Sequence, residues 1–141
     1  MTGKIMTFYL GGSLFGIAIE LVREINRNIS YTPVLGSVPQ VVGLLNLRGQ
    51  IVTLFDLAQL LNLKKQEHKT VQCIILKKQL RGDMVGFLID KPGEVSDITP
   101  EICERVPANM KRLQGQCIAE VARLDQGMVF ILDMKKLADA L

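Results

Sequence analysis

Few side chains that perform enzyme chemistry occur in this sequence, and those present are scattered. His68 is the only histidine and lies in a charged segment, 64–69, that reads as an exposed loop. The three cysteines, Cys73, Cys103 and Cys117, are odd in number and lack CxxC spacing, which argues against disulfides and zinc and favours reduced thiols in a cytoplasm. No phosphate-binding glycine loop, HExxH or GxSxG motif is present. The sequence predicts no enzyme, no cofactor and no metal site.

One charged residue, Arg48, stands in an unusual setting. It lies in residues 41–61, VVGLLNLRGQIVTLFDLAQLL, between two apolar runs. A guanidinium stays charged at neutral pH, so it must face solvent or meet a carboxylate, and Glu20 or Glu24 could supply one. Such a pair either fixes the turn structurally or is displayed at an interface, and the two roles are compatible.

The elements that position Arg48 can be predicted from its neighbours. Gly49 can take positive φ, which predicts a tight turn at 48–50, and the β-branched run 51–53 favours a following strand. Asp56 is placed to cap a short helix that begins after it. The segment therefore predicts a strand, a turn, a strand and a helix.

Further hairpins are predicted along the chain. Segments 5–10 and 14–19 flank Gly11-Gly12-Ser13, and segments 70–77, 84–90, 117–124 and 128–132 are also β-prone. Pro92-Gly93 is expected to interrupt any strand, which leaves 94–98 as an edge strand. A final helix is expected to begin after Asp133, with its apolar residues on one face.

An internal repeat organises these elements. Residues 43–56, GLLNLRGQIVTLFD, align without a gap with 120–133, EVARLDQGMVFILD, and 15–19 resemble 85–89. Each half offers about five strands, the number that closes a small barrel. The fold prediction is all-β, with two packed five-stranded barrels at about 1–65 and 66–141, short helices and a C-terminal helix.

Composition narrows the function classes. With 17 basic and 14 acidic residues the net charge is +3, too small to indicate nucleic acid or an anionic membrane. A small-barrel nucleic-acid-binding protein is the alternative, but the aromatic residues lie in apolar strand runs rather than on a stacking platform. The uncharged stretch 28–47 contains Pro33 and Pro39, which argues against a transmembrane helix. A protein-binding module remains, in which Val22 and Ile25 form either a docking surface or core.

Five short motifs follow one another along the sequence: FGI at 15–17, VREI at 22–25, GLLNLRG at 43–49, FDL at 55–57 and VGFLID at 85–90. In these motifs the sequence resembles the CheW family of chemotaxis coupling proteins, and the resemblance extends over nearly its whole length.

The resemblance implies two SH3-like barrels whose terminal strands can be exchanged between halves. It also implies a non-enzymatic cytoplasmic adaptor that is peripheral to membrane-bound receptor arrays. Its implied partners are the cytoplasmic hairpin tip of chemoreceptors, the regulatory domain of the histidine kinase CheA and possible further CheW-like domains. Binding of nucleic acid and direct insertion into the membrane are not expected. The implied partner-binding residues are a charged pair, its neighbours and the turn glycine: Val22, Glu24, Ile25, Gly43, Asn46, Arg48 and Gly49.

Two positions depart from the family pattern. Glu120 stands where a small residue is typical, and Pro92 interrupts a segment that is usually more apolar. These departures leave open a CheW-like scaffold of another array, such as one that controls surface motility.

Overall fold

The computed structural model describes residues 2–34, 40–64, 71–80, 82–106 and 117–141, so His68, Pro39 and the segment 107–116 lie outside the described residues. Within these ranges the chain forms twelve strands and two α-helices. Their bounds are β1 Gly3–Leu10, β2 Ser13–Ala18, β3 Val22–Asn26, β4 Thr32–Pro33, β5 Val41–Leu47, β6 Gln50–Phe55, α1 Leu57–Leu60, β7 Gln72–Leu76, β8 Met84–Ile89, β9 Lys91–Ile98, β10 Cys103–Glu104, β11 Ile118–Leu124, β12 Gly127–Leu132 and α2 Met134–Ala140.

The strands form two six-stranded sheets. Sheet 1 has the order β3-β7-β8-β6-β5-β4, and sheet 2 has the order β10-β11-β12-β2-β1-β9. Each contains five strands of five to eight residues and a two-residue strand at one edge, β4 or β10. The predicted fold class, all-β with two subdomains and a helix near the C-terminus, is confirmed.

The two sheets are built in the same way from exchanged hairpins. The β1–β2 hairpin joins sheet 2, where β2 runs parallel to β12 with Phe15 opposite Phe130. The β7–β8 hairpin joins sheet 1, where β8 runs parallel to β6 with Val85 opposite Thr53. Each sheet therefore takes strands from both sides of residue 65, and the division into halves at 1–65 and 66–141 stays a proposal about sequence duplication rather than a description of the sheets.

Three apolar clusters hold the sheets together. One lies within sheet 1 and includes Val52 and Ile75, and another lies within sheet 2 and includes Ile5 and Val129. The third and largest takes residues from both sheets and both helices. Because a fully buried large apolar side chain stabilises a fold by about 1.5–3 kcal/mol, this shared cluster makes the subdomains stabilise each other. Its members include Phe8, Ile17, Leu57, Ile74, Phe87 and Leu137.

The prediction that Pro92-Gly93 ends any strand was wrong, although the edge position was right. Strand β9 runs through both residues, and Pro92 pairs with Phe8 of β1 across a register shift. Only one side of an edge strand needs backbone donors, so a proline can be accommodated there. A Cβ built on Gly93 would lie 2.3 Å from Thr7 Oγ1, so this crossing of β1 requires a glycine.

Both predicted helix caps are present. The Asp56 carboxylate accepts the backbone N–H of Gln59 at 3.0 Å, and Asp133 accepts that of Lys136 at 3.2 Å. The backbone N–H groups of the two aspartates donate to equivalent carbonyls, those of Gln40 and Cys117, both at 2.7 Å. Asp56 is buried, whereas Asp133 is half-buried. No described helix is long and apolar enough to cross a membrane.

The caps give a matched pair of substitutions. Asp56→Ala should lower the free energy of unfolding by about 1–3 kcal/mol, because it removes a buried cap and leaves helix N–H groups unsatisfied. Asp133→Ala should cost about 0.5–1 kcal/mol, because its site is closer to water. Urea denaturation measures both, and an equal or larger loss for Asp133→Ala would contradict the difference in burial.

Candidate protein-binding site

The turn between β5 and β6 consists of Arg48 and Gly49, with φ of 50° and 86°. Two consecutive positive φ values define a type I′ hairpin turn. The Asn46 side-chain oxygen accepts a hydrogen bond from the Gly49 backbone N–H at 3.0 Å, and this bond stabilises the turn. Gln50, expected in the turn, is the first residue of β6 and pairs with Leu47.

Arginine is a poor choice for the backbone of this turn. The first position of a type I′ turn favours asparagine, aspartate or glycine, because other residues meet a steric cost of about 1 kcal/mol in the left-handed region. Arg48 is in that conformation and its side chain is 63% exposed. The hairpin itself therefore does not select an arginine, and its side chain must be explained by what it contacts.

Arg48 contacts Glu24, one of the two carboxylates that the sequence offered. Its Nη2 lies 2.5 Å from Oε1 and its Nη1 lies 3.5 Å from Oε2, so the pairing is bidentate. Glu24 is on β3, at the edge of sheet 1, and the sheet curls far enough to bring this edge to the β5–β6 turn. The predicted ion pair is present, and Glu20 is exposed outside it.

Two further residues join this pair and were not predicted. Arg23 lies at a register shift in β3, its Nε is 3.8 Å from Glu24 Oε1, and its Nη1 donates to Gln50 Oε1 at 3.1 Å. The adjacency of Arg23 to Glu24 was visible in the sequence, but the bulge that turns its side chain toward Gln50 was not. We call Arg23, Glu24, Arg48 and Gln50 the charged cluster.

The remaining predicted site residues fall into two groups. Asn46 and Gly49 belong to the exposed turn. Val22 and Ile25 flank Glu24 on β3, but both are half-buried and pack against the large shared core cluster. Most of the side-chain surface of Val22 and Ile25 is therefore packed in the core, and a partner could contact only the part that stays exposed.

Gly43 is buried at the pairing of β5 with β4. A Cβ built on it would lie 2.3 Å from the Thr32 carbonyl oxygen and 2.6 Å from the Tyr31 ring. Its position accounts for a glycine by packing alone. The aligned residue in the second half, Glu120, instead lines a cavity of 330 Å³ beside β10.

Exposed apolar side chains lie on both strands of the hairpin that ends in this turn. Ile51 is 56% exposed and Leu44 38%, and both lie on sheet 1, with Ile51 opposite Asn46. The alternation along β5, in which Leu45 and Leu47 are buried, could have indicated that Leu44 and Asn46 face outward. Large exposed apolar residues beside a polar cluster are typical of a protein-binding surface.

The cysteines are placed for packing rather than catalysis. Burial, as the largest cause, raises the pKa of Cys73 to about 11, and burial also raises the pKa of Cys117. Cys103 lines the cavity beside β10, and its pKa is raised by burial and then by its hydrogen bond with Glu120. The thiolate is the reactive form, so all three are poor nucleophiles near neutral pH. The described residues contain no group of acidic, histidine or cysteine side chains that could hold a metal ion.

These features are those of a scaffold with two β-subdomains that presents exposed apolar and charged side chains on its sheets. The sequence comparison agrees, because a family model described as a CheW-like domain matches residues 4–141. The chain belongs to the CheW family, and its relatives indicate a role as a scaffold in chemotaxis.

Individual relatives are similar over most of their length. The chain is 28% identical over 134 residues to the probable chemotaxis protein CheW of Rhizobium etli, covering 95% of this chain and 86% of that protein. It is 25% identical over 136 residues to the chemotaxis protein CheW of Bacillus subtilis, with 96% and 86% covered. The crystal structure of scaffolding protein TtCheW from Thermoanaerobacter tengcongensis matches with a TM-score of 0.80 and 27% identity, over 94% of this chain and 90% of that one.

Gly43 gives a test of the packing role. Gly43→Ala should lower the free energy of unfolding by about 1–3 kcal/mol, because the added methyl group meets backbone atoms that cannot move aside. Gly49→Asn is the control, since no atom lies within 4 Å of a Cβ built there and asparagine tolerates positive φ. Thermal unfolding measures both, and an unchanged Gly43→Ala would contradict the close approach of β4.

Thiol reactivity gives a second test. With iodoacetamide at pH 8, Cys103 should be alkylated first, because it is half-buried whereas Cys73 and Cys117 are buried. Cys73 should react only through unfolding, since with a pKa of about 11 its thiolate is scarce at pH 8. Mass spectrometry over time resolves the order, and alkylation of Cys73 as fast as Cys103 would contradict it.

Proposed function

We propose that this chain is a non-enzymatic cytoplasmic adaptor that couples the hairpin tip of chemoreceptors to the histidine kinase CheA in a membrane-associated signalling array. The observation that carries the proposal is the Glu24–Arg48 ion pair, displayed at the exposed end of sheet 1 on a chain of the CheW family. An adaptor needs separate surfaces for its partners and no reactive group of its own.

Each subdomain offers such a surface. On sheet 1 the exposed apolar residues are Leu44 and Ile51, and on sheet 2 they are Val95 and Met128. The shared core cluster fixes the two subdomains against each other. Two partners bound to them would therefore be held at a defined distance and angle, which is how receptor packing could control kinase geometry.

The receptor would bind at the charged cluster. Glu24 and Arg48 would form the centre, with Asn46 and Gly49 presenting the arginine. Val22 and Ile25 would contact the receptor with the parts of their side chains that stay exposed. Gly43 would act indirectly, because it allows β4 to pack closely against β5. The regulatory domain of CheA, or another CheW-like domain, would use other exposed strands of the two sheets.

Reconstitution tests the proposal. Purified protein, receptor signalling fragments on vesicles and CheA should co-sediment, and kinase autophosphorylation should differ from that of kinase with receptor alone. A protein that binds neither the receptor fragment nor the regulatory domain of CheA is not this adaptor. Retention on single-stranded nucleic acid that weakens steeply with salt would support the barrel-type nucleic-acid alternative instead.

Arg48→Asn separates binding from stability. The substitution creates an Asn-Gly type I′ turn, so the free energy of unfolding should stay the same or rise by up to about 1 kcal/mol, because the turn gain offsets an exposed ion pair of small value. Receptor co-sedimentation should fall, because the guanidinium is gone. Normal receptor binding by the variant would exclude Arg48 as a receptor contact, and a melting temperature that falls sharply together with binding would show that its role is structural.

A further inference from the structure

The charged cluster carries more positive than negative charge. Arg48 lies 2.5 Å and Arg23 3.8 Å from the same Glu24 oxygen, so one carboxylate faces two guanidinium groups. The side chain of Glu24 is 24% exposed, whereas those of Arg23 and Arg48 are 38% and 63% exposed. The acid is shielded by the sheet, and the cations are presented to solvent.

Both arginines have hydrogen-bond donors to spare. A guanidinium has five N–H donors. Within the described part of the chain, the Arg48 guanidinium donates to the two Glu24 oxygens, and that of Arg23 to Gln50 Oε1 and, at 3.9 Å, Met84 Sδ. The remaining donors can bind a planar acceptor such as a carboxylate in a bidentate manner.

In sheet 2 the edge strand also contacts a hairpin turn, but without an excess of positive charge. Glu94 on β9 precedes Val95, which pairs with Met6, just as Glu24 precedes Ile25, which pairs with Ile74. Glu94 receives one neutral donor from the β11–β12 turn, Gln126 Nε2 at 3.4 Å. Glu94 forms no ion pair with any described residue. In sheet 2 the contact between the edge-strand glutamate and the hairpin turn therefore forms without an arginine.

Exposed apolar groups lie on the same hairpin as Arg48, on the outer face of sheet 1. Ile51 follows Gln50 in β6 and is 56% exposed, and Leu44 lies two residues before Asn46 on β5. A partner that covers both these side chains and the charged cluster would remove water from the arginines and strengthen their attraction to a negative charge. The ligand that fits is a carboxylate with apolar side chains next to it.

We propose that Arg23 and Arg48 together bind an aspartate or glutamate of the partner protein, one flanked by apolar residues on the surface of the receptor hairpin tip. This inference rests on the proposed function and names the chemistry of the partner at the same site. Glu24 then serves as an internal carboxylate that orients the arginines and shares them with the incoming acid, and Arg23 determines specificity together with Arg48.

Titration of an isolated receptor hairpin fragment with wild-type protein, Arg23→Gln and Glu24→Gln tests this, with calorimetry at low and moderate salt. Wild-type affinity should fall as salt rises. Arg23→Gln should weaken binding about 3- to 10-fold and flatten the salt dependence, because one charge-assisted contact is lost. Glu24→Gln should keep a salt dependence at least as steep as that of wild type, because it removes the negative charge of the cluster and leaves both guanidinium groups in place.

The controls separate this inference from the proposed function. Arg123→Gln removes another exposed arginine, paired with Glu104 at 3.1 Å on sheet 2, and should leave binding unchanged. Arg23→Lys should recover part of the affinity that Arg23→Gln loses. If wild type binds but Arg23→Gln binds equally well, or if Glu24→Gln flattens the salt dependence as Arg23→Gln should, the carboxylate ligand is wrong while the adaptor stands. If wild type does not bind at all, both fail.

Discussion

The exchange of hairpins between the two sheets is the constraint on which the rest of the structure depends. Sheet 1 is incomplete without β7 and β8, and sheet 2 is incomplete without β1 and β2. The parallel pairings that join the hairpins, β8 with β6 and β2 with β12, are the central ladders of their sheets. Because neither sheet can form from one half of the chain, the subdomains must fold together, and their orientation is fixed by the core they share.

Local structure could be predicted from the sequence because it depends on neighbouring residues. Glycine turns, β-branched runs and capping aspartates indicated the hairpins and both helix starts, and the repeat 43–56 with 120–133 coincides with β5–β6 and β11–β12. The sheet that each hairpin joins could not be predicted from residue patterns, and only the family resemblance implied that terminal strands can be exchanged. The two halves have equivalent registers, so Val85 fits beside Thr53 much as Phe15 fits beside Phe130, and the residues alone do not distinguish the pairings.

The candidate site was predicted in part for the same reason. An arginine next to a glycine turn implied a nearby carboxylate, and Glu24 is that carboxylate. Arg23 was missed because its contact with Gln50 depends on the bulge at this position of β3. A bulge arises from the pairing with the neighbouring strand, here β7, and does not follow from the sequence of β3 alone. Gly43 was predicted as a site residue from the family resemblance. Its contacts with Thr32 and Tyr31 depend on β4, a two-residue strand that no sequence pattern predicted.

The similarity of the two sheets would allow one small chain to bind two unlike partners, as the proposed function requires. The fold gives both sheets the same curled end, with a glutamate on the edge strand facing a hairpin turn. Selection on the fold acts equally on both ends, so features that the ends share belong to the scaffold. Arg23 and Arg48 occur at one end only, and Arg48 occupies a turn position that favours a smaller residue. A residue that is costly for the turn and absent from the matching turn is explained by what it binds, which makes the difference between the halves the most direct guide to function.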